Sequence, residues 1–206
     1  MVQTVTQDTR TERRHTPAAT DARNTDGAHA TATGAQNPDR AHPTGSPTAT
    51  AAVSIEPRMT QPALLIPEAM RALVALAAAT KEAGLPPRIA LLVHLRASQI
   101  NGCSWCVDMH SREMRETGEP DERIFAVAAW RESPYFDDGE RAALALTEAL
   151  TRLSDRAEPV PDPIFDEAAA YFEERTLAAL ILDIAAINVW NRLNVATRQV
   201  AGSLRH

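Results

Sequence analysis

Residues 177–190, from Leu177 to Trp190, are apolar nearly all the way round a helical wheel, broken only by Asp183 and Asn188. A helix with no polar face has no side to give to water, so it must be covered on every side. It is then either the central helix of a bundle or half of a subunit interface. The stretch is too short and too interrupted for a membrane span, which needs ~20 apolar residues. Asn188 and Asn191 are expected to hydrogen-bond inside that core, and Asp183 to sit at a rim or against an arginine.

The chain from Pro67 onward reads as further helices that supply such a cover. Pro67 opens a run with Met70, Leu73, Val74 and Leu76 at helical spacing, closed by Gly84 and Pro86-Pro87. A helix over 87–101 carries Ile89, Leu92, Val93 and Ile100, and the next runs from the cysteine turn to Thr117-Gly118. Pro120-Asp121 starts another through Ile124, Val127 and Trp130. Asp137 and Glu140 form a capping box ahead of Leu144 and Leu150. Asp162-Pro163 supplies an N-cap and a first-turn proline for a helix through Phe165 and Phe172. No segment alternates with period two, so the expected fold class is all-α without a sheet.

Residues 1–58 are rich in Thr, Ala, Pro and Arg and hold almost no large apolar side chains, too little burial to offset the cost of ordering them. The expected organisation is a disordered tail over 1–58 and one helical domain over 59–206. Met59 stands where patterned sequence begins, which fits either a native N-terminal arm or a start codon assigned too far upstream; the intact mass of the native protein distinguishes them. The tail holds six acidic and six basic residues, so the whole net charge of −6 belongs to the domain. A mildly acidic domain is a poor nucleic-acid binder. With no apolar leader segment and no transit-peptide composition, the expected location is cytoplasmic.

The chain has two cysteines, Cys103 and Cys106, with His110 four residues past the second. At ~100° per residue they share one narrow helical face, which brings two thiols and a general base together. The pair is expected to form a reversible intramolecular disulfide. Asn101-Gly102 signals a turn and helix start, whose exposed N–H groups would favour a thiolate. Three other readings of the pair remain: half of a zinc site, for which no second ligand pair is visible; a c-type haem attachment, which Val107 disfavours by standing where the histidine belongs; and inert buried thiols. A domain of about this length buries roughly 68–70% of its unfolded surface, enough without a disulfide or metal, so both cysteines are free to cycle.

The stretch Leu95-Arg96-Ala97-Ser98-Gln99-Ile100-Asn101-Gly102-Cys103-Ser104-Trp105-Cys106-Val107-Asp108-Met109-His110 resembles the core motif of the alkylhydroperoxidase D-like (AhpD-like), or carboxymuconolactone decarboxylase, family. Three later segments resemble that family in the same order: Ala129 to Pro134, Glu140 to Thr151 and Ile187 to Leu193. The resemblance covers residues 60 to 202 and implies an AhpD-like helical bundle that assembles as a homo-oligomer, a trimer or hexamer. It also implies a thiol-dependent peroxidase with Cys106 as peroxidatic cysteine, Cys103 as resolving cysteine and His110 in a proton relay. Its partners would be a hydroperoxide substrate and an external dithiol reductant, with no cofactor, metal, nucleic acid or membrane. The alternatives are a carboxymuconolactone-type decarboxylase, which has no use for a thiol pair, and a non-catalytic redox-responsive oligomeric module.

One position departs from the pattern. Peroxidase members carry a glutamate twelve residues before the first cysteine, and Leu91 stands there. The resemblance therefore implies a slow relay that Leu91→Glu would accelerate. His94, one turn further on, is a candidate for the missing group. Asp108 and Trp105 are expected to face away from the cysteines, the first as a structural or solvent-facing carboxylate and the second into core or an interface.

Overall fold

The computed structural model describes residues 55–203, and within them all regular structure is helical. Eight α-helices follow in order: α1 (Pro62–Leu65), α2 (Pro67–Glu82), α3 (Pro87–Ile100), α4 (Ser104–Glu116), α5 (Asp121–Ala126), α6 (Asp138–Thr151), α7 (Asp162–Tyr171) and α8 (Glu174–Thr197). The all-α class expected from the sequence is the observed one. The expected disorder of the N-terminal tail lies outside the described residues as far as position 54. Arg58, at the end of that segment, donates its backbone N–H to Thr197 O at 2.8 Å, beside the last turn of α8.

Local chemistry accounts for most boundaries. Asp137 accepts the Glu140 N–H at 2.8 Å while Glu140 accepts the Asp137 N–H at 3.0 Å, the reciprocal capping box expected for α6. α7 departs by one position: Asp162 is its first residue after Pro161, and no side chain caps it. α1 was not anticipated. Its cap is Gln61, whose side chain accepts the N–H groups of Ala63 and Leu64, a role for which glutamine carries no sequence signal.

α3 is the helix at the centre. It packs against α4, α6 and α8, and its Ile89 and Val93 join Leu146, Phe172, Leu180 and Ile184 in one cluster. Its Leu92 and Leu95 join Met114, Ile124, Trp130 and Leu144 in a second. α8 is longer than the apolar stretch suggested and is long and apolar enough to cross a membrane, yet half of that window is buried within the bundle. Leu180, Ile184 and Ile187 face inward, while Leu182, Val189 and Val195 remain exposed. Within one chain, then, this helix is covered on one side only.

Two buried polar joints tie the bundle together. Glu148 of α6 accepts from Trp130 Nε1 at 2.9 Å, Arg131 at 2.7 Å and Arg96 at 2.7 Å, which links α3 to the α5–α6 connection. Burial pushes the Glu148 carboxyl up, but those three donors prevail and hold it below the usual carboxylate range. Arg123 of α5 bonds Glu119, Glu140 and the Tyr135 carbonyl.

Candidate active site around the Cys103–Cys106 pair

The cysteines sit where α3 turns into α4. Gly102 occupies φ +66°, a left-handed conformation that lets the chain reverse between the two helices. α4 begins at Ser104, so Cys103 is its N-cap rather than a residue on its face, and the Cys103 sulfur accepts the Cys106 N–H at 3.3 Å. The two sulfurs are bonded as a disulfide with the Cα atoms 5.3 Å apart. Both cysteines are almost fully buried.

The last helix holds this turn in place. Asn101 donates to Asn188 Oδ1 at 2.9 Å and to Asn191 Oδ1 at 2.8 Å, Asn191 donates to Ser98 Oγ at 3.0 Å, and Asn194 donates to the Cys106 sulfur at 3.4 Å. The core bonding expected for Asn188 and Asn191 is therefore present. Asn194 was missed, although the three asparagines fall at i, i+3 and i+6, the period that puts them on one face.

His110 is 4% exposed, one turn along α4 from Cys106. Its Nδ1 lies 2.8 Å from Glu113 Oε2, and its Nε2 is buried without a hydrogen-bond partner. Burial is the main force lowering the His110 pKa; the bond to Glu113 opposes it, and His94 adds to it. Glu113 is held below the usual carboxylate range chiefly by its bond to His110. With Leu91 at the family's glutamate position, the carboxylate beside His110 is instead Glu113, from the same helix. The signal was its i+3 spacing from His110.

His94 of α3 stacks obliquely on His110, ring centroids 4.9 Å apart, and its Nε2 lies 2.7 Å from Asp183 Oδ2. Thr80 donates to the other oxygen of Asp183 at 3.2 Å. Asp183, expected at a rim or beside an arginine, is instead buried and paired with a histidine. Asp108 takes the structural role expected of it, accepting from Arg112 and from the Gly202 N–H.

Three hollows lie around the cysteine turn and the histidines. A cavity of about 250 Å³ is lined by Cys106, His94, His110 and Asp183 together with Trp105, Met109, Ala186, Ile187, Trp190 and Ala77. Trp105 thus borders the cysteine cavity instead of facing away from it. A neighbouring groove of about 420 Å³ shares His94, Asp183 and Ala77 and is bordered also by Leu91 and Glu113. Cys103 opens on a separate groove of about 730 Å³ between Gly102, Ser104 and residues 194–201. Among the described residues no group of three or more His, Cys, Asp or Glu side chains is arranged to hold a metal ion.

The family model described as carboxymuconolactone decarboxylase family matches residues 67–149, which run from the first residue of α2 almost to the end of α6. The uncharacterised protein YdfG of Bacillus subtilis is 33% identical over 139 residues, 68% of this chain and 93% of its own length. A solved structure from Agrobacterium tumefaciens, a protein of unknown function provisionally described as an antioxidant defence protein AhpD, shares 37% identity. It superposes with a TM-score of 0.66 over 71% of this chain and 98% of its own. An uncharacterised peroxidase-related protein from a Silicibacter species has a TM-score of 0.58 at 19% identity, over 66% of this chain and 71% of its own, which is a likeness of fold.

Proposed function

The chain belongs to the carboxymuconolactone decarboxylase family, and from that premise we propose that it is a thiol-dependent peroxidase that cycles Cys103 and Cys106 between dithiol and disulfide. The observation that carries this reading is that Cys106 is bonded to Cys103 and borders the same cavity as His110. The provisional antioxidant description of the Agrobacterium relative supports it. A decarboxylase would leave the sulfur pair without a task.

In the reduced protein, Cys106 lies in the first turn of α4, where backbone N–H groups favour a thiolate. His110, kept neutral by burial and oriented by Glu113, takes the thiol proton on Nε2. The thiolate attacks one oxygen of a hydroperoxide and the O–O bond breaks. The leaving oxygen receives the proton from His110 and departs as an alcohol, or as water from hydrogen peroxide. Cys103 then attacks the Cys106 sulfenic acid, the S–S bond forms and water leaves. An external dithiol restores both thiols and is itself oxidised to a disulfide. Cys103 opens on its own groove, so the reductant has a face of the molecule separate from the peroxide cavity.

The test is hydroperoxide consumption with dithiothreitol as reductant. Cys106→Ser is expected to abolish turnover, and Cys103→Ser to permit a first attack and then accumulate sulfenic acid. Full initial attack in Cys106→Ser, with the label on Cys103, reverses the two roles. No consumption by the wild type overturns the reading.

A further inference from the structure

The lining of the cavity on Cys106 is specific about what fits beside the sulfur. Its ionisable groups are mutually adjacent: His94 stacks on His110 and pairs with Asp183. The remaining wall is apolar, from Trp105, Met109, Ile187 and Trp190 with the small side chains of Ala77 and Ala186. Asp183 accepts from Thr80 on Oδ1, its Oδ2 lies 2.7 Å from His94 Nε2 without an aligned hydrogen bond, and His110 is driven towards its neutral form. A negatively charged ligand would meet the Asp183 carboxylate and find no uncommitted cation, and would bear the cost of its own desolvation.

Size narrows the choice further. An apolar cavity of about 150 Å³ takes up benzene, so about 250 Å³ holds one ring with a few further heavy atoms. Drug-sized ligands occupy roughly 300–1,000 Å³, so a ligand lodged in this cavity alone is smaller than that. Hydrogen peroxide would leave the apolar wall facing water.

We propose that this cavity selects compact, uncharged, ring-bearing hydroperoxides, held against the indoles of Trp105 and Trp190 with the peroxide group at Cys106. The proposal rests on the peroxidase reading for the reaction but not for the binding. Selection resides in the wall: the ring displaces water from the two indoles and Ile187, while the O–O group meets the sulfur and the histidines.

The experiment has a kinetic and a binding arm. With dithiothreitol as reductant, kcat/KM is measured for cumene hydroperoxide, hydrogen peroxide and linoleate hydroperoxide. Cumene hydroperoxide is expected to exceed each of the others by about ten-fold or more, the scale on which an apolar pocket discriminates size. That ratio is expected to collapse in Trp190→Ala and in Ala77→Phe; Ala77 is exposed on α2, so the larger side chain narrows the cavity without disturbing the core. In the binding arm, 2-phenyl-2-propanol, which has the same body without the peroxide bond, is expected to change tryptophan fluorescence saturably in wild type and not in Trp190→Ala. Equal kcat/KM for all three peroxides, or a preference for linoleate hydroperoxide, overturns the proposal and leaves the peroxidase reading standing. Saturable alcohol binding without consumption of any peroxide overturns that reading and leaves the ligand class standing. Absence of both overturns the two together.

Discussion

Glu113 bonds His110 from three residues along α4 and borders the same groove as Leu91, the position where peroxidase relatives carry their carboxylate. A carboxylate introduced at position 91 would share that groove with Glu113, which yields a paired prediction. Glu113→Gln is expected to lower peroxide turnover on the order of 10²-fold. Leu91→Glu alone is expected to change little, and in the Glu113→Gln background to recover part of the loss, as read by kcat at neutral pH with thermal stability followed in parallel. The histidine also links pH to folding. Its pKa is lowered from an ordinary 6.5, so the folded protein binds fewer protons than the unfolded chain as pH falls through that value. Stability is therefore expected to decline on acidification through this window. Glu113, lowered from an ordinary 4.5, contributes stability that is present above that value and lost as pH falls further. Melting temperatures measured between about pH 7.5 and 5 should fall less steeply in His110→Asn than in wild type.

At the scale of elements, the cysteine turn belongs to α3 and α4 but is held by α8. Asn191 is 1% exposed and bridges Asn101 to Ser98. Its replacement by alanine leaves the buried Ser98 hydroxyl without its donor and Asn101 with Asn188 alone, with an expected loss of about 1–3 kcal/mol. Urea denaturation measures that loss, and slower re-formation of the disulfide in the refolded variant would show that the asparagine also positions the turn. The Arg123–Glu140 contact between α5 and α6 is buried on both sides, 5% and 3% exposed. Glu140→Ala leaves the buried Arg123 with Glu119 as its remaining carboxylate and removes the α6 capping box, so it is expected to be the more damaging change.

At the scale of the molecule, α2 and α8 pack side by side and leave Val74, Leu182 and Val189 exposed, with Leu64, Leu65 and Ile66 just before α2. So much apolar surface on neighbouring helices is costly in water and is expected to be covered by another copy of the chain. Light scattering coupled to size exclusion should report an oligomer for wild type and a smaller species for Leu182→Glu combined with Val189→Glu. A wild-type monomer would leave the exposed side of α8 without an explanation.

The sequence by itself determined the all-helical class, the boundaries of α2, α3 and α6, and the nearness of the two cysteines and His110. Each is a local property: helical period, capping chemistry and spacing within one turn act over a few residues and are written in order along the chain. Only the tertiary structure decided which helix lies at the centre, that Asp183 meets His94, and that Trp105 and Trp190 border one cavity. His94 and Asp183 lie on different helices far apart in sequence, and packing brought them within 2.7 Å. Glu113 falls between these cases. Its spacing from His110 was legible, but a glutamate three residues from a histidine becomes a bonded partner only where burial of the ring leaves it no water to bind instead.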